Sequence, residues 1–245
     1  MADELLRVEN LNKAYGDQPV LHDINFEVNT GEVLVLLGPS GSGKSTLIRC
    51  LNGLEPYQSG DIYFKGDHVT PSSKNWQKLR QKIGMVFQSY DLFPNLKIMD
   101  NITLGPIKVQ KQAKNVAEKE ALALLDSVDL ADYAQKYPRE LSGGQKQRIA
   151  IVRALALHPE FMLFDEVTAS LDPEMVRGVL EIMLDLAKQK MTMIVVTHEM
   201  NFAHQIANQV LFLEEGRILE STPGAQFFTD PKTDRAKEFL QSMDF

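Results

Sequence analysis

Residues 38–45 read Gly-Pro-Ser-Gly-Ser-Gly-Lys-Ser and follow directly on the apolar run Val33-Leu34-Val35-Leu36-Leu37. Strand, glycine-rich turn and helix in that order wrap backbone N–H groups around a polyphosphate. Glycine lets the main chain approach the phosphates closely and take dihedrals closed to other residues. The helix that follows turns its positive end on the same anion. Lys44 then reaches the β- and γ-phosphates, and the Ser45 hydroxyl ligates Mg²⁺. The spacing predicts a nucleoside triphosphate site.

Two further stretches carry chemistry. Phe161-Met162-Leu163-Phe164 is an apolar run ending in two acids, Asp165 and Glu166. An acid at a strand end can bring a carboxylate to Mg²⁺, the role expected of Asp165. Glu166, directed to the other side of the strand end, can orient and deprotonate a water attacking the γ-phosphate. The second stretch is Leu141-Ser142-Gly143-Gly144-Gln145. Ser142 with Gln145 three residues on is a capping-box pattern that should start a helix. Two glycines in a first turn weaken a helix, so they imply that the backbone lies close against something. Two explanations fit: tight packing inside the chain, or a second anion site that closes over nucleotide held by another subunit.

Four nearly continuous apolar runs position these residues: 33–37, 83–87, 161–164 and 193–196. Separated by helical stretches, they predict an α/β fold with a parallel sheet covered on both faces. Ligands of such sheets bind beyond the carboxyl ends of the strands. Each run is followed at once by polar or small residues, namely Gly38, Gln88, Asp165-Glu166 and Thr197-His198. Residues 5–8, 24–28 and 62–64 read as antiparallel strands, with breaks at Tyr15-Gly16-Asp17, Asn29-Thr30-Gly31 and Ser59-Gly60-Asp61. Between Gln88 and Phe161 the pattern turns helical. Ala117, Ala121, Leu124, Leu125 and Val128 form one apolar stripe, and a helix over about 143–157 turns Ile149, Val152, Leu155 and Ala156 inward. This region, about 89–157, reads as a helical insertion. Strands over 210–213 and 217–219 flank a turn near Glu215-Gly216, and a short helix near 235–243 falls in a C-terminal tail of about 220–245.

Composition narrows the function classes. The 245 residues hold 33 acidic against 26 basic side chains, a net charge of −7, which argues against nucleic acid as a partner. Cys50 is the only cysteine, so an internal disulfide and a thiolate cluster are excluded. It sits among Leu47, Ile48, Leu51 and Leu54, as a packing residue would. The start Met1-Ala2-Asp3-Glu4 is acidic, unlike a signal peptide, and no apolar run approaches the ~20 residues of a membrane span. Residues 89–96 place Tyr90, Leu92, Phe93, Pro94 and Leu96 in a loop. They either pack the helical part on the sheet or form a groove for a helix of a membrane subunit.

Taken together, these motifs make the chain resemble the ATP-binding subunit of an ABC transporter over essentially its whole length. The order matches: aromatic residue, phosphate loop, glutamine, L-S-G-G-Q, D-E, S-L-D, histidine. The resemblance implies a P-loop NTPase (RecA-like) parallel-sheet core, an N-terminal antiparallel β subdomain and an inserted α-helical subdomain, with 1–245 as a single domain. It implies ATP and Mg²⁺ as ligands. Tyr15 would stack on adenine, and Gly38, Ser40, Gly41, Ser42, Gly43, Lys44, Ser45 and Thr46 would hold the phosphates. Mg²⁺ would fall to Ser45, Gln88 and Asp165. Ser142, Gly143, Gly144, Gln145 and Asp172 would serve the ATP of the opposite protomer, and Glu166, His198 and Gln88 would be catalytic.

Partners implied are a second copy, two transmembrane permease subunits and an extracytoplasmic substrate-binding protein, at the cytoplasmic face of a bacterial inner membrane. Within the superfamily, the text of 48–55, 84–94 and 192–200 is most similar to ATPases of polar amino-acid importers. Val167 departs from the family, which usually has proline after the glutamate. The substitution frees φ and adds an N–H donor in the loop leading to Asp172. Translation-type relatives join two such domains and repair types carry coiled-coil or zinc insertions, neither of which occurs here. A kinase or GTPase has no use for L-S-G-G-Q.

Overall fold

The computed structural model describes residues 3–70 and 76–243. The expectations that touch Met1, Ala2 and Phe245 lie outside the described residues. The first third runs β1 (Glu4–Tyr15), β2 (Gln18–Asn29), β3 (Val33–Leu37), α1 (Lys44–Leu51), β4 (Ser59–Phe64) and β5 (Asp67–Val69). Then come α2 (Trp76–Leu79), β6 (Ile83–Val86), α3 (Ile98–Lys108), α4 (Lys114–Asp126), α5 (Gly143–Leu155), β7 (Phe161–Asp165) and α6 (Pro173–Lys188). The chain continues through β8 (Thr192–Val196), α7 (Met200–Ile206), β9 (Gln209–Glu214), β10 (Arg217–Pro223), α8 (Gly224–Thr229) and α9 (Asp234–Ser242).

One sheet has the order β10-β9-β3-β8-β7-β6, with β3, β6, β7, β8 and β9 parallel and β10 antiparallel at the edge. All residues of β3, β7 and β8 are buried, as two-sided cover demands. The second sheet is antiparallel in the order β2-β1-β4-β5. One core joins the two sheets through α1, where Leu47, Ile48, Cys50 and Leu51 are buried. Cys50 is a free, buried thiol that burial pushes up to about 12, so it packs and does not react at neutral pH. A second core lies under α6 to α9, and a third fills the helical insertion between α3, α4 and α5.

Three expectations need correction. The strands over 5–8 and 24–28 are the paired start and end of two 12-residue strands, whose polar residues face solvent on one side of a half-buried sheet. Ser59-Gly60-Asp61 is no break but the start of β4. Gly60 is required there because a Cβ would lie 2.4 Å from the Asn10 carbonyl oxygen. Finally, the strand expected over 217–219 is β10 and runs to Pro223, and after it Phe227, Phe228, Phe239 and Leu240 are buried in the second core.

Candidate nucleotide site

β3 delivers the chain to Gly38, whose φ of 145° and close approach to the Leu213 carbonyl leave no room for a Cβ. Gly41 and Gly43 take φ of 78° and 104° around Ser42. Alternation of this kind turns successive N–H groups into one concavity, an anion nest. α1 starts at its rim with Gly43 as N-cap and no side-chain cap, so its first amides stay open. The Lys44 ammonium lies inside the loop and donates to the carbonyls of Gly38 and Pro39, both at 2.8 Å. Burial pulls its pKa down, against the pull of Glu166 and Asp165. The Ser42 hydroxyl oxygen is buried beside Gly38 without a hydrogen-bond partner, an unmet acceptor and donor in the wall of the loop.

β7 ends beside this loop. Ser45 Oγ donates to Asp165 Oδ1 at 2.7 Å. Burial raises the Asp165 pKa, with the Ser45 hydrogen bond and the Arg49 charge opposing it. A hydroxyl and a buried carboxylate that already touch suit a small hard cation sharing its remaining sites with water and phosphate. Glu166 continues the ladder by donating its N–H to the Val196 carbonyl at 3.1 Å, then takes φ of 49°. That left-handed turn re-aims its carboxylate off the strand, where it meets His198 Nε2 at 3.3 Å. The His198 hydrogen bond lowers the Glu166 pKa against burial, which keeps the group ionised and able to accept a proton.

Two adjoining clefts frame these groups. One of about 250 Å³ is lined by Ser40, Gly41, Gly43, Lys44, Thr46 and Glu166, with Val20 of the β1–β2 hairpin and Ser45. The other, of about 530 Å³, takes in Ser45, Arg49, Gln88, Tyr90, Asp165 and Ser170. Gln88 therefore reaches the same space as Ser45 and Asp165. Tyr15 stands at the tip of the β1–β2 hairpin, 46% exposed. Arg49 escaped the sequence reading. Its signal was its place four residues after Ser45, on the same face of α1.

Residues 142–145 line neither cleft. The capping box is present: Gln145 N–H donates to Ser142 Oγ at 3.3 Å, and Ser142 N–H to Gln145 Oε1 at 2.9 Å. Both glycines are crowded within the chain. A Cβ on Gly144 would lie 2.8 Å from Met175 Cβ, and one on Gly143 would lie 2.9 Å from the Tyr90 hydroxyl. Packing inside the chain therefore crowds both glycines, most rigidly Gly144. Asp172 is the N-cap of α6, without a side-chain cap bond. The loop from Glu166 to Asp172 is closed by Ala169 N–H donating to Glu166 O and Leu171 N–H to Thr168 O, with Val167 buried below.

The helical insertion is tied to the clefts by side chains. Gln147, fully buried on α5, donates to the Phe87 carbonyl at 3.0 Å, and Ser170 Oγ to the Gln88 carbonyl at 3.3 Å. Asn101 clamps the 89–96 loop, accepting from Phe93 N–H and donating to the carbonyls of Phe93, Leu96 and Lys97. Leu92 packs into the cores, whereas Phe93 is 48% exposed. Phe93 lines a groove of about 680 Å³ with Leu54, Met85, Ile102, Val109 and Arg153 among its walls. The loop both packs and forms a groove. No helix among the described residues is long and apolar enough to cross a membrane.

Residues 21–169 match the family model described as "ABC transporter". The glutamate/aspartate import ATP-binding protein GltL of Escherichia coli K12 is 52% identical over 236 residues, 96% of this chain and 98% of that protein. The glutamine transport ATP-binding protein GlnQ of Bacillus subtilis is 48% identical over the same shares of the two chains. The ATP-binding cassette MJ0796, solved as a dimer in a post-hydrolysis state with ADP and Pi, superposes with a TM-score of 0.78 at 30% identity, covering 89% of this chain and 98% of that one.

Proposed function

The chain belongs to the ABC transporter family, as an ATP-binding, ATP-hydrolysing subunit, and from that premise we propose that it energises the import of polar amino acids. The observation that carries the reading is one cluster: Lys44, Ser45, Asp165, Glu166 and His198 converge on the phosphate loop within hydrogen-bonding reach of one another or of the loop itself. Relatives about half identical over nearly the whole chain, named for glutamate/aspartate import and for glutamine transport, support the cargo class.

Two copies work as a pair, each ATP lying between one phosphate loop and Ser142, Gly143, Gly144 and Gln145 of the partner subunit, with Asp172 at the seam. Tyr15 stacks on the base, and the nest around Ser42 with Lys44 holds the phosphates. Ser45, Asp165 and Gln88 hold Mg²⁺, which when bound neutralises charge on the phosphoryl oxygens. Glu166 takes the proton of the attacking water, and His198 fixes that carboxylate and reaches toward the γ-phosphate. Charge at the seam holds the pair closed until phosphate leaves, a two-state element that membrane subunits can use.

Each of two transmembrane permease subunits seats a helix in the groove beside Phe93, close to Gln88. The chain then lies peripherally on the cytoplasmic face of the bacterial inner membrane, served from outside by a substrate-binding protein. Reconstitution with its permeases in vesicles tests the reading. ATP-dependent uptake of glutamate, aspartate or glutamine is expected. Uptake confined to apolar solutes would overturn the cargo, and ATP-driven export would overturn the direction.

A further inference from the structure

Lys13 is a lysine buried to 4% exposure in a β-strand, and nothing in the phosphate chemistry uses it. Its ammonium donates to the Pro56 carbonyl at 2.7 Å and pairs with Glu55 Oε2 at 3.4 Å. It also lies 4.2 Å from the centre of the Tyr15 ring. Residues 13 and 15 are two apart on β1 and share a face, so the strand itself brings cation and ring together. The backbone between them is pinned: Ala14 N–H donates to Gln58 Oε1 at 2.7 Å, and Gln58 Nε2 donates to the Ala14 carbonyl at 3.1 Å. Only the Tyr15 side chain, half exposed at a hairpin tip, is left to choose its own position.

An ammonium is costly to bury, and a methionine would fill the same space without that cost. What the charge adds is attraction for the negative face of an aromatic ring. We propose that Lys13 is a positioning residue for nucleotide binding: fixed by Pro56 and Glu55, it holds the Tyr15 ring by one face and so presets the other for a purine base. The inference rests on Tyr15 being the base-stacking residue. It adds that the stack is prepared from behind, by a group that never touches the nucleotide.

ATP and inorganic tripolyphosphate binding to the purified chain separate the two ideas, because tripolyphosphate has no base. Tyr15→Ala should weaken ATP about tenfold or more and leave tripolyphosphate unchanged. Lys13→Met should weaken ATP about fivefold, again sparing tripolyphosphate, and should add nothing in the Tyr15→Ala background. Lys13→Gln, which keeps a donor for the Pro56 carbonyl, serves if Lys13→Met does not fold. If Tyr15→Ala binds ATP like the parent, the stacking assignment fails and the inference falls with it. If Tyr15→Ala loses ATP while neutral residues at 13 do not, the stack stands and Lys13 has no part in it. Equal loss of ATP and tripolyphosphate, or additive loss in the double variant, also overturns the proposal.

Discussion

The phosphate loop and the tip of α5 are both glycine-rich helix starts, yet the fold treats them differently. At Gly43 the helix is left uncapped, the preceding loop has positive φ, and Lys44, Ser45, Asp165, Glu166 and His198 crowd around it. At Ser142 the helix is fully capped by its own side chains, and its glycines are filled by Met175 and Tyr90. No other catalytic candidate faces it across either cleft. The first start is a site within one chain; the second is a finished surface. A helix tip capped and close-packed by its own chain has little left to bind inside it, in keeping with the proposal that its rim serves a second copy.

The largest expected effect breaks the first region alone. Glu166→Gln keeps the size of the side chain and its contact to His198 but removes the base. Turnover should fall by about 10²–10⁴-fold. ATP affinity should hold within about twofold, a difference well under 1 kcal/mol, and sedimentation with ATP should show a trapped dimer. Hydrolysis at the parent rate would remove Glu166 from the mechanism.

The second effect falls on the other region. In Gly144→Ala the new methyl meets Met175 Cβ, an atom next to backbone, so the tip of α5 or the start of α6 must move. Turnover should drop about tenfold, on the order of 1.4 kcal/mol in the barrier, while a single chain binds ATP as before. Mixing this variant with Lys44→Ala gives the sharpest contrast. A mixed pair contains one site with an intact loop and an intact partner tip, so the mixture should turn over faster than either variant alone. Failure to do so would mean that the two regions serve the same chain.

The same contrast explains what could be read in advance. The span of β3 and the capping box at Ser142 were legible because both signals are local: an apolar run with a glycine stop, and a serine–glutamine pair three apart. The convergence of Asp165, Glu166 and His198 followed from their places at the ends of parallel strands. The polar residues of β1 hid its length, because a strand open to water on one face carries few apolar signals. Gly60 reads as a break until Asn10 is seen against it. Lys13, Gln147 and Glu220 are polar side chains whose burial depends on partners from about a dozen to sixty residues away, which no local pattern encodes.

Glu220 offers the smallest effect and a control outside both regions. Its carboxylate is 4% exposed and accepts from the amides of Lys232 and Thr233, each at 2.9 Å, and from the hydroxyls of Thr222 and Thr233. It fastens β10 to the start of α9. Burial raises its pKa, but the four donors outweigh burial and the net shift is downward. A carboxyl whose pKa is lower folded than unfolded stabilises fully above its unfolded value, near 4.3, and loses that contribution as pH falls through the folded one. Glu220→Gln turns its amide hydrogens toward donors, and should cost on the order of 2 kcal/mol, about 4–8 °C in Tm at pH 7. The gap to the parent should narrow steadily below about pH 4, because the parent there protonates the same group. ATP affinity and turnover at room temperature should not change. A gap independent of pH would mean that shape, not charge, holds this corner, whereas a loss of turnover would tie the C-terminal segment to the site.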